Sequence, residues 1–142
     1  MSNKSLITLG WREIASLPDL GIASIKMKID TGAKTSALHA IDISVFQKNQ
    51  QEYVRFKTQP LLKENTLVNC EALLVDQRQV RNSGGQNEKR YVIQTKLVIA
   101  NKTWPIEMTL SNRSNMRFKM LLGRRAMVGN VLVDPSKSYL CR

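Results

Sequence analysis

Short segments in which apolar and polar residues alternate recur along this chain, separated by turn-forming residues. The clearest covers residues 22–29, where Ile25, Met27 and Ile29 fall on one face of the predicted strand. An alternation of period two is typical of a strand with one buried face. Many short strands with turn signals between them predict an all-β fold, a barrel or a sandwich. Further strands are predicted within residues 6–20 and over 40–45, 53–57, 72–75, 90–100, 106–110, 120–122 and 131–133.

Two segments depart from this strand pattern. Residues 70–100 predict a long hairpin, because two apolar strands flank a polar stretch with Gly84 and Gly85 at its centre. Residues 124–128 predict about one helical turn, which Gly129 ends. The predicted architecture is therefore all-β with one short helix.

The length of 142 residues fits a single domain over residues 1–142 with its own hydrophobic core. Cys70 and Cys141 form no motif, and buried, inert thiols are expected at both positions. No stretch is apolar enough for a signal peptide or a membrane span. A reducing cytoplasm is the expected location, and no membrane partner is expected.

The excess of positive charge is the property of the composition that bears on function. Lys and Arg number 22 against 11 Asp and Glu, which gives a formal net charge of +11. A field of this sign attracts polyanions. The ligand classes that it leaves open are nucleic acid, anionic lipid and an acidic polypeptide.

The tripeptide Asp30-Thr31-Gly32 is the strongest candidate for chemistry. The acid follows a predicted strand and precedes a hydroxyl and a glycine, so it stands at a sharp turn. A strand that ends in an Asx-type turn would carry the same residues. Peptide hydrolysis by carboxylates needs two acids that share a proton, because one activates water and the other protonates the carbonyl. With one such tripeptide per chain, Asp30 requires its counterpart from a two-fold homodimer.

A second segment, Leu121-Leu122-Gly123, completes a pattern that resembles the retropepsin-like aspartic peptidases. In that family an apolar-apolar-Gly segment passes beneath the Asp-Thr-Gly loop and supports it. The resemblance implies a retropepsin-like acid-protease β-barrel, a two-fold homodimer, and the 70–100 hairpin as the flap. By position, the resemblance makes Asp30, Thr31 and Gly32 catalytic and makes Ala33, Leu121, Leu122 and Gly123 the structural support of the site.

Three longer stretches of sequence make the resemblance more specific. DTGAKTSALHA, VRNSGGQNEKRYVI and NRSNMRFKMLLGR resemble the bacterial RimK-associated family once named an ATP-dependent zinc protease, over residues 10–134. RimK adds glutamates to the tail of a small-subunit ribosomal protein. The resemblance implies a peptidase that trims such tails, with a functional link to a RimK-type glutamate ligase.

No cofactor is expected, despite the old family name. ATP binding would need a glycine-rich phosphate loop with a lysine, and the sequence contains none. Zinc catalysis would need clustered ligands, and His39 is the only histidine. We expect His39 to be a structural residue.

Basic residues gather around the two motifs, and Lys34, Arg81, Arg90 and Arg124 are the predicted substrate-binding residues. Viral retropepsins carry an acid at the position of Lys34, where it pairs with the arginine that matches Arg124. Arg124 is therefore predicted to lose its usual internal partner, the acid. Unpaired Arg and Lys side chains suit an acidic substrate, because the guanidinium fork pairs with carboxylates in a bidentate manner. The predicted partner is a glutamylated ribosomal protein tail.

Two other functions stay open. A non-catalytic basic β-barrel could bind RNA or the ribosome, because phosphate contacts alone can supply affinity. Aromatic residues make up only 6% of the chain and form no evident stacking platform, so nucleic acid is a secondary candidate. The peptidase fold could also bind a polyglutamate tail without cleaving it.

Overall fold

A computed structural model describes residues 6–60, 66–81 and 84–141. Its described part contains eleven strands, a 3-10 turn at Pro18–Leu20 and one short α-helix. In chain order they are β1 (Ile7–Leu9), β2 (Arg12–Leu17), β3 (Ile22–Asp30), β4 (Ser36–His39), β5 (Ile41–Lys48), β6 (Gln51–Thr58), β7 (Val68–Arg81), β8 (Asn87–Ile99), β9 (Lys102–Ser111), β10 (Met120–Gly123), α1 (Arg124–Met127) and β11 (Val131–Val133).

Six of these strands close into a barrel. Their order is β2-β3-β10-β4-β9-β8, and β2 returns to β8 where Ser16 pairs with Val98. From β8 the sheet continues outward through β7, β6 and β5, all antiparallel. β1 and β11 form a separate parallel pair. The predicted β-barrel with one short helix is confirmed.

The interior of the barrel holds the hydrophobic core. In β3, Ile25, Met27 and Ile29 are buried, and Lys26 and Lys28 between them are exposed. Burial of apolar surface is the main favourable term in folding. Burial of the apolar side chains therefore turns the other face of β3 outward. Lys26, Lys28 and Asp30 lie on that outward face.

The sequence pattern does not predict β4. All four of its residues, Ser36–His39, are buried, so the strand lacks the alternation that marks a half-buried strand. β4 lies between β10 and β9 and pairs antiparallel with the first and parallel with the second. A strand that is covered on both faces loses the period-two signal.

The predicted hairpin is more regular than its polar composition suggests. β7 and β8 stay paired as far as Arg81 and Asn87, so the polar stretch extends both strands. Gly85 lies in the turn between them with φ of 81°, a conformation that glycine adopts at little cost. The flap role of residues 70–100 stays a prediction.

One buried acid ties the C-terminal segment to the barrel. Glu13 is 0% exposed, and its carboxylate accepts hydrogen bonds from the backbone N–H groups of Gly10, Leu140 and Cys141 at 2.7, 2.9 and 3.1 Å. A buried charge is tolerated where such donors replace water. Glu13 therefore holds the segment after β11 against β2.

The two cysteines are unpaired thiols. Cys70 is buried, as predicted, and burial raises the pKa of its thiol to about 11. Cys141 is only partly buried, which departs from the prediction, and burial and the nearby charge of Glu13 raise its pKa. Raised pKa values keep thiols protonated and poorly nucleophilic at neutral pH.

Within the described residues, no helix is long and apolar enough to cross a membrane.

Candidate active site

Asp30 ends β3 and begins a tight loop. The Gly32 N–H donates to Asp30 Oδ1 at 2.9 Å, and the Ala33 N–H donates to the Asp30 carbonyl at 3.2 Å. Asp30 is half-buried, whereas Thr31 and Gly32 are exposed. The Asx-type turn and the catalytic role are therefore compatible, because the turn fixes the carboxylate while leaving it accessible.

β10 lies directly beside the end of β3. The two strands run parallel, with Leu122 opposite Ile29 and Gly123 opposite Asp30. Leu122 is fully buried and Leu121 is half-buried. The fold therefore brings together the two segments that the sequence analysis paired across the chain.

Gly123 is the point of closest approach between β10 and the loop. A Cβ atom added there would lie 2.6 Å from the Thr35 carbonyl carbon and 3.0 Å from the Ala33 carbonyl oxygen. Both distances are well inside the optimal separation of nonbonded atoms, and both neighbours belong to the backbone. A residue without a side chain is required for β10 to pack this closely.

Ser36, which the sequence analysis did not consider, anchors Gly123. It is 1% exposed, and its Oγ accepts a hydrogen bond from the Gly123 N–H at 3.0 Å. The Ser36 carbonyl accepts a hydrogen bond from the Thr109 hydroxyl at 3.3 Å. These bonds link β10, β4 and β9 beside the loop. The run of small residues after Asp30 was a weak sequence signal of this close packing.

Among the described residues Arg124 pairs with no carboxylate, as predicted, but its side chain is bonded to the backbone and is therefore not spare. Its Nη1 donates to the Gly32 carbonyl at 3.2 Å, and its backbone N–H donates to the Ala33 carbonyl at 2.8 Å. The prediction assumed that the partner must be an acid, but a backbone carbonyl accepts the same hydrogen bond. Arg124 is also exposed, so it braces the loop at the protein surface.

Lys34 lies next to this brace. Its side chain is exposed, and its carbonyl accepts a hydrogen bond from the Arg125 N–H at 3.2 Å. Across the described part of the chain, Lys34 forms no ion pair with a carboxylate. Its placement is compatible with the predicted contact to an acidic substrate.

Arg78 connects the hairpin to the segment after the Asp30 loop. Its Nη1 donates to Thr35 Oγ1 at 3.5 Å, and its other nitrogens contact Asp76 at 2.9 Å and Glu107 at 3.4 Å. The charge of Arg78 is thus matched by two neighbouring acids. The sequence analysis assigned no role to Arg78.

Arg90, a predicted substrate-binding residue, is half-buried and lies 3.6 Å from Glu88. Its Nε is buried without a hydrogen-bond partner. Burial and the charge of Arg90 lower the pKa of Arg113. For Arg81 only the backbone, paired with Asn87, is described, and its side chain lies outside the described part.

His39 holds the loop between β9 and β10. Its Nδ1 accepts a hydrogen bond from the Arg113 N–H at 2.8 Å, so Nδ1 carries no proton. Buried Lys119 donates to the carbonyls of Arg113 and Ser114 in the same loop, at 3.4 and 2.9 Å. Burial, with the charges of Lys119 and Arg113, lowers the pKa of His39. His39 is therefore a neutral structural residue, as predicted.

The known proteins that match this chain show its family. The family described as RimB-like, retropepsin-like aspartic endopeptidase RimB, matches residues 8–142. This chain belongs to that family. The matched range includes the Asp30 loop, the hairpin and the 121–123 segment. Among the described residues, no group of three or more His, Cys, Asp or Glu is placed to hold a metal ion.

The chain is also similar to part of two longer proteins. It is 46% identical over 129 residues to a protein named probable alpha-L-glutamate ligase from Desulfotalea psychrophila, which covers 90% of this chain and 28% of the relative. It is 47% identical over 134 residues to a protein of the same name from Parasynechococcus marenigrum, which covers 94% of this chain and 29% of the relative. The chain thus spans less than a third of the length of these relatives.

A solved structure has the same fold. It is a Legionella pneumophila protein of unknown function, 29% identical in sequence, and it superposes with a TM-score of 0.84. The similarity covers 97% of this chain and 100% of that chain. The barrel described here is therefore close to one known from crystallography.

Ser36→Ala tests the anchor of β10. The substitution leaves the buried Gly123 N–H without its acceptor, and we expect the free energy of unfolding to fall by about 1–3 kcal/mol in urea denaturation. Ser24→Ala, on the exposed face of β3, is the matched control and should change it by less than about 0.5 kcal/mol. If both substitutions lowered the free energy of unfolding equally, Ser36 would not be the anchor of β10.

The lowered pKa of His39 predicts a pH dependence of stability. Below pH 6.5 the unfolded chain binds a proton at His39 that the folded protein resists, so His39 contributes full stability above pH 6.5 and loses it as the pH falls. His39→Gln removes this titration. Urea denaturation between about pH 8 and about pH 5 should show the wild type losing stability relative to His39→Gln only below about pH 6.5. A stability difference that is constant over this range would refute the prediction.

Proposed function

We propose that this protein is an aspartic-type peptidase that trims glutamylated protein tails, with a catalytic dyad formed by Asp30 from two copies of the chain. The observation that carries the proposal is the placement of Asp30. Its carboxylate is fixed by the Gly32 N–H and remains accessible beside the closely packed β10. The family description, retropepsin-like aspartic endopeptidase, supports the same reaction.

The proposed chemistry needs two carboxylates with different protonation states. When two such groups are held close together, repulsion raises one pKa, so one acid is protonated while the other is ionised. The ionised acid takes a proton from water as the water oxygen bonds to the peptide carbonyl carbon, and the protonated acid gives its proton to the carbonyl oxygen. The tetrahedral intermediate then breaks its C–N bond: the leaving amine takes a proton from the newly protonated acid, and one hydroxyl of the intermediate returns its proton to the other acid, which restores the shared proton.

A two-fold axis supplies the second acid in this proposal. A single chain has one Asp-Thr-Gly loop, and a symmetric dimer places equivalent loops face to face. Thr31 and Gly32 are exposed at the loop tip, where a partner loop would meet them. The hairpin formed by β7 and β8 is then the proposed flap over the substrate.

The proposed substrate follows from charge and from the relatives. The formal net charge of +11 favours an acidic ligand. Two relatives that contain a segment similar to this chain are named as glutamate ligases. A peptidase linked to a glutamate ligase is suited to removing the residues that such a ligase adds, and we place this activity in the cytoplasm.

The direct test is cleavage of a protein that bears a polyglutamate tail, read by mass spectrometry over about pH 4 to 8. The wild type should shorten the tail, and Asp30→Asn should lower the rate by several orders of magnitude, because it removes the shared proton site of the dyad. Asp19→Asn changes an exposed acid in the 3-10 turn and should retain wild-type activity.

Cleavage by Asp30→Asn at the wild-type rate would overturn the proposal. Retention of the tail by both proteins without any cleavage, weakened by added salt, would favour the alternative of a polyglutamate-binding protein.

A further inference from the structure

Resting on the proposed function, we propose that a basic cleft next to Asp30 is the subsite that accepts a glutamate side chain of the substrate. We call it the Lys28 cleft. It has a volume of about 410 Å³. It is lined by Trp11, Lys28, Arg113, Met116, Arg117, Phe118 and Leu121.

Strand geometry places the Lys28 cleft beside the catalytic loop. Lys28 and Asp30 are two residues apart on β3, so their side chains leave the same face, about 7 Å apart along the strand. Leu121 is the neighbour of Lys28 on β10, as Gly123 is the neighbour of Asp30. An extended peptide advances about 3.3 Å per residue, so the cleft is within reach of a side chain one or two residues from the cleaved bond.

The charge of the Lys28 cleft is unbalanced. Lys28, Arg113 and Arg117 line it, and the described residues contribute no acidic side chain to its walls. None of the three cations pairs with a carboxylate anywhere in the described part of the chain. Three other clefts on the described surface each contain at least one carboxylate in their walls. In the Lys28 cleft, therefore, no acidic wall residue offsets the positive charge, whereas the other three clefts each have such a residue.

The wall of the cleft is held in place before any ligand arrives. The Arg113 N–H is bonded to His39 Nδ1, and Arg113 Nε donates to the Phe118 carbonyl at 3.2 Å. The Lys119 ammonium closes the same loop through two carbonyls. Cations on a preformed wall bind an anion with less loss of conformational entropy than cations on a mobile loop.

The floor of the cleft is apolar and aromatic. Trp11 and Phe118 meet edge to face, with ring centroids 6.0 Å apart, and the Trp11 carbonyl accepts a hydrogen bond from the Ile29 N–H at 2.8 Å. Leu121 is half-buried beside them. A glutamate side chain matches both parts of this surface, because its methylenes can cover the apolar floor while its carboxylate reaches the cations.

The first test compares kcat/KM for an oligoglutamate peptide and for the isosteric oligoglutamine peptide. The wild type should prefer the glutamate peptide, because only its side chains carry the negative charge. The double variant Lys28→Gln/Arg117→Gln should lower the ratio of the two kcat/KM values by roughly tenfold or more. Lys96→Gln, which removes an exposed lysine on β8, should leave the ratio unchanged.

The second test reads binding without catalysis. In an Asp30→Asn background, fluorescence anisotropy would give Kd for the labelled glutamate and glutamine peptides, with and without Lys28→Gln/Arg117→Gln. The glutamate preference should fall by a similar factor. An oligouridylate competitor in the same assay separates an acidic side chain from a nucleic-acid phosphate as the ligand.

The outcomes separate the subsite from the proposed function. An unchanged glutamate-to-glutamine ratio in the double variant, or no glutamate preference in the unsubstituted protein, would overturn the subsite even if cleavage depends on Asp30. Tighter binding of oligouridylate than of the glutamate peptide, lost in the double variant, would also overturn it. Cleavage by Asp30→Asn at the wild-type rate would refute the dyad. In that case a lower glutamate-to-glutamine ratio of kcat/KM in the Lys28→Gln/Arg117→Gln variant would still support the subsite. Thermal denaturation of each variant confirms that it is folded.

Discussion

The close packing of β10 against the Asp30 loop is the constraint on which the candidate site depends. Gly123 lies opposite Asp30 and has no room for a Cβ atom, and Ser36 fixes its N–H from the other side. The Arg124 side chain then bonds to the Gly32 carbonyl from the start of α1. The Gly32 N–H fixes the Asp30 carboxylate locally, and the chain returns after about ninety residues to brace the loop that carries it.

The cations near this site divide into two groups with different roles. Arg124 and Arg78 make hydrogen bonds that brace the loop and the segment after it, and buried Lys119 closes the loop before β10. Lys28 and Arg117 are exposed beside an apolar floor. A net positive charge therefore does not by itself identify the substrate-binding residues. The informative property is whether a cation already has a partner.

The sequence predicted the fold and the position of the acid well, for physical reasons. The alternation in β3 survives because one of its faces is buried, and the Asp-Thr-Gly turn forms from local hydrogen bonds. β4 could not be predicted from alternation because both of its faces are covered. The Gly32 carbonyl as the partner of Arg124 was also beyond prediction, because a backbone acceptor has no residue type that reveals it.

The roles of Glu13, Ser36 and the Lys28 cleft depend on tertiary contacts. Glu13 accepts hydrogen bonds from residues at the opposite end of the chain, and the cleft joins β3 to the loop before β10. The cations of this region are evident in the sequence, but their arrangement is not. What determines it is the anchored loop between β9 and β10, which His39 and Lys119 stabilise.

The central claim, that catalysis needs Asp30 from two chains, is tested most directly by mixing subunits. Wild type would be combined with an equal amount of Asp30→Asn under conditions that allow exchange, with exchange verified by co-purification of a tagged chain. If only dimers with two intact acids are active, random pairing predicts that the tail-cleaving activity per wild-type chain falls to about half, and further as the variant is added in excess. Activity per wild-type chain that stays constant in the exchanged mixture would contradict a shared dyad.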